Sequence, residues 1–162
     1  MEDLNAVMRE RFDKTRQLEE AGTAAYPNGY PVANRIIEII DRCAEKSAED
    51  LEQAASPFTV AGRLVSIRSF GRSIFMHLLD ADARVQLYFQ QNRMGKEAFA
   101  LVKKLDIGDI IRITGTPFRT KTGELTLLAT EVVLLTKNLR PLPEKYHGLK
   151  DVELRYRQRY VD

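Results

Sequence analysis

Five side chains able to handle an unpaired nucleobase crowd into a short stretch: Arg68, Phe75, His77, Gln86 and Tyr88. An exposed aromatic ring such as Phe75 can stack on a base, contributing about 1–3 kcal/mol per base. The Gln86 amide both donates and accepts, so it can read a base edge. Arg68 can donate to a phosphate or to a base carbonyl. Arg63, Arg72, Tyr88, Arg119 and Lys121 are candidate phosphate neighbours, although a solvated charge or a half-buried tyrosine is the ordinary role for each. Phe75 taken by itself fits a barrel core at least as well, because one aromatic in a strand is unremarkable. His77 has no evident carboxylate or nucleophile partner along the chain and reads as a partly buried strand histidine rather than a catalytic base.

Other chemistries find less support. Lys121-Thr122-Gly123 spells KTG, but no S-x-x-K and no S-D-N accompany it, so a serine-enzyme reading fails. There is no G-x-x-x-x-G-K-[ST] phosphate loop. One cysteine and two distant histidines make a poor zinc set, so no metal and no resident cofactor are expected.

The elements that must position these residues follow from periodicity. Leu4, Val7, Met8 and Phe12 recur at helical spacing, which predicts a helix from Glu2 to Ala21 closed by Gly22. A Pro- and Gly-rich turn, 26–31, leads to a second helix with Ala33, Ile36, Ile37, Ile40, Cys43 and Ala44 on one face. Ser47 to Asp50 resembles a capping box for a short third helix through Ala54, and Pro57 ends the helical region. The period then changes to two. Strands are predicted over Phe58–Arg68, Ile74–Asp80, Arg84–Gln90, Ile110–Arg119 and Leu125–Leu135, with a helix over Lys96–Leu105. The order β-β-β-α-β-β is that of the five-stranded OB-fold barrel, so the class is α+β, mainly β, with helices in front. Alternation places Phe75 and His77, and Gln86 and Tyr88, opposite Ile74, Met76, Leu78, Val85, Leu87 and Phe89. The first set is therefore assigned to the outer face, where such barrels bind nucleic acid.

Charge is unevenly spread over this plan. Residues 1–57 carry 7 basic and 12 acidic side chains, whereas residues 58–137 carry 12 and 7. The predicted barrel is the block that would attract a polyanion. Nothing resembles a secretory leader or an apolar run long enough to cross a bilayer, and the single Cys43 suits a reducing cytoplasm.

The last stretch, LRPLPEKYHGLKDVELRYRQRYVD from Leu139, resembles the junction between the two domains of class II lysyl-tRNA synthetases. Upstream, AYPNGY, VAGRLVSIRSFGRSIFMHLLD, RVQLYF, LDIGDI and RTKTGELTLLATEVVLLTK are similar to the same family's N-terminal domain. The resemblance implies a helical region over 1–57, an anticodon-binding OB-fold over 58–137, and a linker with the start of the catalytic domain over 138–162. The catalytic domain itself would lie beyond Asp162, so no aminoacyl-adenylate is expected from these residues alone. It further implies that Phe75 stacks on the middle anticodon base, with Arg68 and Gln86 helping to recognise it. Glu124, in the GEL turn, would contribute to anticodon contacts. Arg155, Tyr156, Arg159 and Tyr160 would open the motif through which such enzymes dimerise. The parent would be a cytoplasmic homodimer using ATP and Mg2+ to join lysine to its tRNA. A stand-alone OB module for single-stranded nucleic acid, a protein-docking domain, and an aspartate or asparagine relative remain as alternatives.

Overall fold

The computed structural model describes residues 2–53 and 56–140, with side chains from residue 6 onward. The linker and helix expected over 141–162, including Arg155, Tyr156, Arg159 and Tyr160, lie outside the described residues. Three helices come first: α1 (Glu2–Glu20), α2 (Ile36–Cys43) and α3 (Ala48–Gln53). Then follow β1 (Phe58–Phe70), β2 (Ser73–Leu79), β3 (Arg84–Gln90), α4 (Gln91–Met94), α5 (Lys96–Lys104), β4 (Ile110–Arg119) and β5 (Leu125–Thr136). The strands close into a barrel in the order β1-β2-β3-β5-β4. All pairings are antiparallel except β3 with β5. This is the predicted OB-fold, with β1 running two residues further than expected and α4 as an added turn of helix.

The barrel interior is built from the alternate positions anticipated in β2 and β3. Ile74, Met76, Leu78, Val85, Leu87 and Phe89 are buried together with Val60, Leu64, Ile111, Ile113, Leu127 and Leu134. Ring closure brings backbones into contact at two glycines. A Cβ on Gly62 would lie 2.5 Å from the Leu79 carbonyl oxygen, and one on Gly115 would lie 2.7 Å from that of Leu128. Only glycine fits such crossings.

The helices attach in different ways. α2 lays Ile36, Ile39 and Cys43 onto the core. Its start is capped from the β2–β3 turn, where the Asp80 carboxylate accepts the Ile36 N–H at 2.8 Å. The helix begins three residues later than periodicity predicts, because Asn34 is drawn into the barrel edge: its N–H donates to the Thr59 carbonyl and its Oδ1 accepts the Thr59 N–H. The Ser47–Asp50 capping box of α3 is present, with the Asp50 N–H donating to Ser47 Oγ and the Ser47 N–H to the Asp50 carboxylate.

α1 departs most from expectation. Val7 and Phe12 of its apolar stripe are 40% and 50% exposed, while Arg11, Thr15 and Leu18 face inward. The reason is electrostatic. Arg11 donates to the carbonyls of Asn138 and Ile107, and Lys14 donates to Asp106 at 2.8 Å. Asp106 and Asp109 in turn hold the fully buried Lys137 ammonium at 2.6 and 2.7 Å, and the Lys104 carbonyl accepts its remaining donor at 3.3 Å. Among the described residues no buried side-chain polar atom lacks a partner. A buried charge is costly unless it is both paired and fully hydrogen-bonded, and this one is.

Burial opposes ionisation of Asp106, but the hydrogen bonds from Lys137 and Lys14 outweigh it and hold the carboxyl below its ordinary value. Asp106 therefore stabilises the fold above the unfolded carboxylate pKa of about 3.9, and that contribution disappears as pH falls through the lower folded value. Asp106→Asn is expected to unfold at lower urea concentration at neutral pH and to lose less stability below about pH 4 than the unaltered chain. Parallel acid limbs in urea titrations of the two proteins would remove Asp106 from this role.

Candidate nucleic-acid interface

The outer face of β1, β2 and β3 is organised by one irregularity. β1 pairs Leu64 with Leu78 and then Ser66 with His77, so Val65 is an extra residue. Strict alternation from Val60 and Leu64, both buried, would turn Ser66 and Arg68 into the barrel. The bulge reverses that phase. Ser66 comes to lie beside His77 and Arg68 beside Phe75 on the outside, while Ile67 packs against the core opposite Met76.

Next to Arg68 runs an aromatic row. Phe75 and Tyr88 are cross-strand partners whose rings stack at 4.3 Å with 19° between planes. Phe70 approaches Phe75 edge-on at 6.1 Å from one side, and Phe118 approaches Tyr88 at 6.0 Å from the other. The Tyr88 hydroxyl is held by Ser73 and by the Gln90 amide.

Beside the rings lies a polar group of five. The Gln86 amide donates to Glu124 Oε2 at 3.0 Å and its oxygen accepts from Thr126 at 2.8 Å. His77 Nε2 lies 3.3 Å from Glu124 Oε1, and His77 Nδ1 lies 2.7 Å from Ser66 Oγ. Glu124 is carried by the tight β4–β5 link. There the Gly123 N–H donates to the Thr120 carbonyl at 2.8 Å, and Gly123 adopts φ +85°, which suits glycine alone.

The aromatic row, with Ser66, Arg68, His77, Gln86 and Glu124, lines one open groove of about 580 Å³, of the size that holds small ligands. Of the ten sequence candidates, Arg68, Phe75, His77, Gln86, Tyr88, Lys121 and Glu124 line it. Arg63, Arg72 and Arg119 do not. Arg63 donates to the Gly108 carbonyl at 3.0 Å, and Arg72 sits exposed in the β1–β2 turn. Arg119 is engaged on the end of α2, donating to the carbonyls of Cys43 and Ala44 at 2.9 and 3.1 Å and to that of Lys46 at 3.1 Å. It also donates to the Gly123 carbonyl at 3.1 Å. Sequence reasoning missed Ser66, Phe70, Phe118, Thr120 and Thr122 in the lining. The phase of Phe118 along β4, opposite Ile111 and Ile113, was the one available signal. Among the described residues no cluster of three or more His, Cys, Asp or Glu could hold a metal ion, and no helix is long and apolar enough to cross a membrane.

Residues 58–135 match the tRNA anti-codon family, described as an OB-fold nucleic acid binding domain. The match runs from the start of β1 to within a residue of the end of β5. The whole chain also aligns with lysine–tRNA ligases. It is 44% identical to that of Shouchella clausii over 162 residues, which is 100% of this chain and 32% of the ligase. It is 47% identical to that of Listeria innocua and 42% to that of Bacillus subtilis, in each case over 161 residues, 99% of this chain and 32% of the ligase. The OB-fold domain thus matches the N-terminal region of lysine–tRNA ligases, and the chain spans about a third of their length.

Within the OB-fold domain, Arg119 joins the end of α2 to the turn that bears Glu124. Its removal takes a charged donor from several helix-terminal carbonyls, of which that of Cys43 is part-buried. Arg119→Ala is expected to lower thermal stability by about 1–3 kcal/mol. An unchanged melting temperature together with weaker RNA binding would return Arg119 to the phosphate contacts.

Proposed function

We propose that this chain is the anticodon-binding region of a lysine–tRNA ligase and holds the U-rich anticodon loop of its tRNA in the groove. The observation that carries this is the gathering of Arg68, Phe75, Gln86 and Glu124 on one face of an anticodon-family OB-fold. RNA loops suit such a face because their bases are easily unstacked and then offer their Watson–Crick edges. Phe75 supplies a stacking surface, steadied from behind by Tyr88. Uracil presents two carbonyl oxygens and one ring N–H. Arg68 and the second Gln86 N–H are donors for the oxygens. Gln86 Oε1 and the Glu124 carboxylate are acceptors for the N–H. Arg68 and Lys121 are exposed cations at the rim, suited to phosphate.

The division into a helical region over 1–57, the OB-fold over 58–137 and a linker over 138–162 belongs to this reading. So does a role for Arg155, Tyr156, Arg159 and Tyr160 in dimerising the parent enzyme. Joining lysine to tRNA in the cytoplasm with ATP and Mg2+ is assigned to the remaining two thirds of such a ligase.

The test is binding to a lysine-tRNA anticodon stem-loop beside the same stem-loop with its middle U changed to C. A preference for U of about tenfold, or 1.4 kcal/mol, is expected. Equal affinity for both would leave only a generic single-strand surface, and no binding to either would point to a docking role. Phe75→Ala is expected to weaken stem-loop binding by about 1–3 kcal/mol while keeping a cooperative melting transition. Loss of that transition would mean that the ring serves the fold first.

A further inference from the structure

We propose that Ser66 and His77 are positioning residues that fix the Glu124 carboxylate on the groove face and so set a preference for a base carrying a ring N–H over one carrying a ring acceptor. The inference rests on the anticodon-loop reading above and names which side chains tune it.

The direction of each hydrogen bond follows from what Glu124 can do. An ionised carboxylate only accepts. Its two neighbours, His77 Nε2 at 3.3 Å and Gln86 Nε2 at 3.0 Å, must both donate. His77 therefore carries its hydrogen on Nε2. In the neutral ring Nδ1 is then an acceptor, and the partner it finds is the Ser66 hydroxyl at 2.7 Å. The chain of donors runs one way, from Ser66 through His77 to Glu124. Ser66 is available for this only because the extra residue Val65 turns it outward beside His77.

Exposure separates the roles. The His77 side chain is 15% exposed, whereas that of Glu124 is 46% exposed. His77 lies beneath and Glu124 is presented to whatever enters the groove. Without the imidazole, the carboxylate would keep Gln86 as its one side-chain anchor among the described residues, on a turn shared with Thr120, Lys121 and Thr122, and would regain rotamer freedom. Held in place, its oxygens accept the ring N–H of uracil and repel the ring nitrogen lone pair of cytosine. That repulsion of the wrong base adds to the attraction for the right one in setting discrimination.

The experiment measures the U-over-C preference at each of the three anticodon positions, using stem-loops bound to the 162-residue chain and its variants. Glu124→Gln identifies the position facing the carboxylate as the one whose preference falls. At that position His77→Ala and Ser66→Ala are expected to lower the preference at least about threefold. His77→Gln, which can keep an N–H toward Glu124, is expected to restore it. Preferences at the other two positions stay unchanged. Should His77→Ala lose its melting transition, Ser66→Ala, which removes a single oxygen, decides alone. A fall in Glu124→Gln with the unaltered preference in Ser66→Ala and in a folded His77→Ala would overturn the inference and leave the anticodon reading intact. An unaltered preference in Glu124→Gln would also overturn the inference. Absence of any U preference in the unaltered chain would bring down the anticodon reading itself, and this inference with it.

Discussion

β1 has to serve two neighbours, and the single extra residue Val65 lets it do so. Its first half pairs with β4 from Phe58 to Arg63, and its second half pairs with β2 as far as Phe70. Along the first half, inward residues fall at Val60, Gly62 and Leu64, with Gly62 allowing the close approach to Leu79. Without the bulge, the same phase would carry Ser66 and Arg68 into the core and push Ile67 out. Bulges add twist and re-aim side chains. Here that puts a guanidinium beside Phe75 and a hydroxyl beside His77. The groove inherits its three β1 residues, Ser66, Arg68 and Phe70, from this one insertion.

The same point marks how far the sequence can be read. Period-two alternation was enough for β2 and β3, because those strands are short and regular: Phe75, His77, Gln86 and Tyr88 lie outside, and their neighbours lie in the core. Alternation could not place Arg68, since a phase error of one residue leaves no trace in composition. Its assignment came from family resemblance. Arg119 shows a second limit. Three of its four carbonyl partners lie 73 to 76 residues away, and backbone acceptors have no sequence signature. α1 forms where periodicity predicts, but its seating was not legible, because periodicity counts apolar residues whereas Arg11 and Lys14 anchor this helix on polar groups of the barrel. Its apolar Val7 and Phe12 are left outside.

The recognition groups are already engaged with one another. Gln86 is held between Thr126 and Glu124, Glu124 between Gln86 and His77, and Phe75 against Tyr88. A base entering the groove meets side chains whose rotamers are largely fixed, so less ordering entropy opposes binding. The engagement is incomplete in a useful way. The second Gln86 N–H and remaining carboxylate lone pairs have no partner among the described residues and are what the base would meet.

Anchoring and recognition use charge in opposite manners, and this decides which cations can attract RNA. Lys137 is fully buried, and its donors are spent on Asp106, Asp109 and the Lys104 carbonyl. Lys14 is committed to Asp106 and Glu10, and Arg11 to two carbonyls. Arg63 and Arg119 are committed to backbone oxygens. The basic excess of residues 58–137 is thus partly consumed in holding the molecule together. Among the described residues, Arg68 and Lys121 are the exposed cations that line the groove. Under the proposed anticodon reading, counterion release by these two groove cations would contribute modestly, since the dependence on salt scales with the number of phosphates neutralised. On that reading, discrimination between loops would fall to stacking on Phe75 and to the pair Gln86 and Glu124, whose surroundings are set by the bulge in β1 and by the Arg119 bridge under the β4–β5 turn.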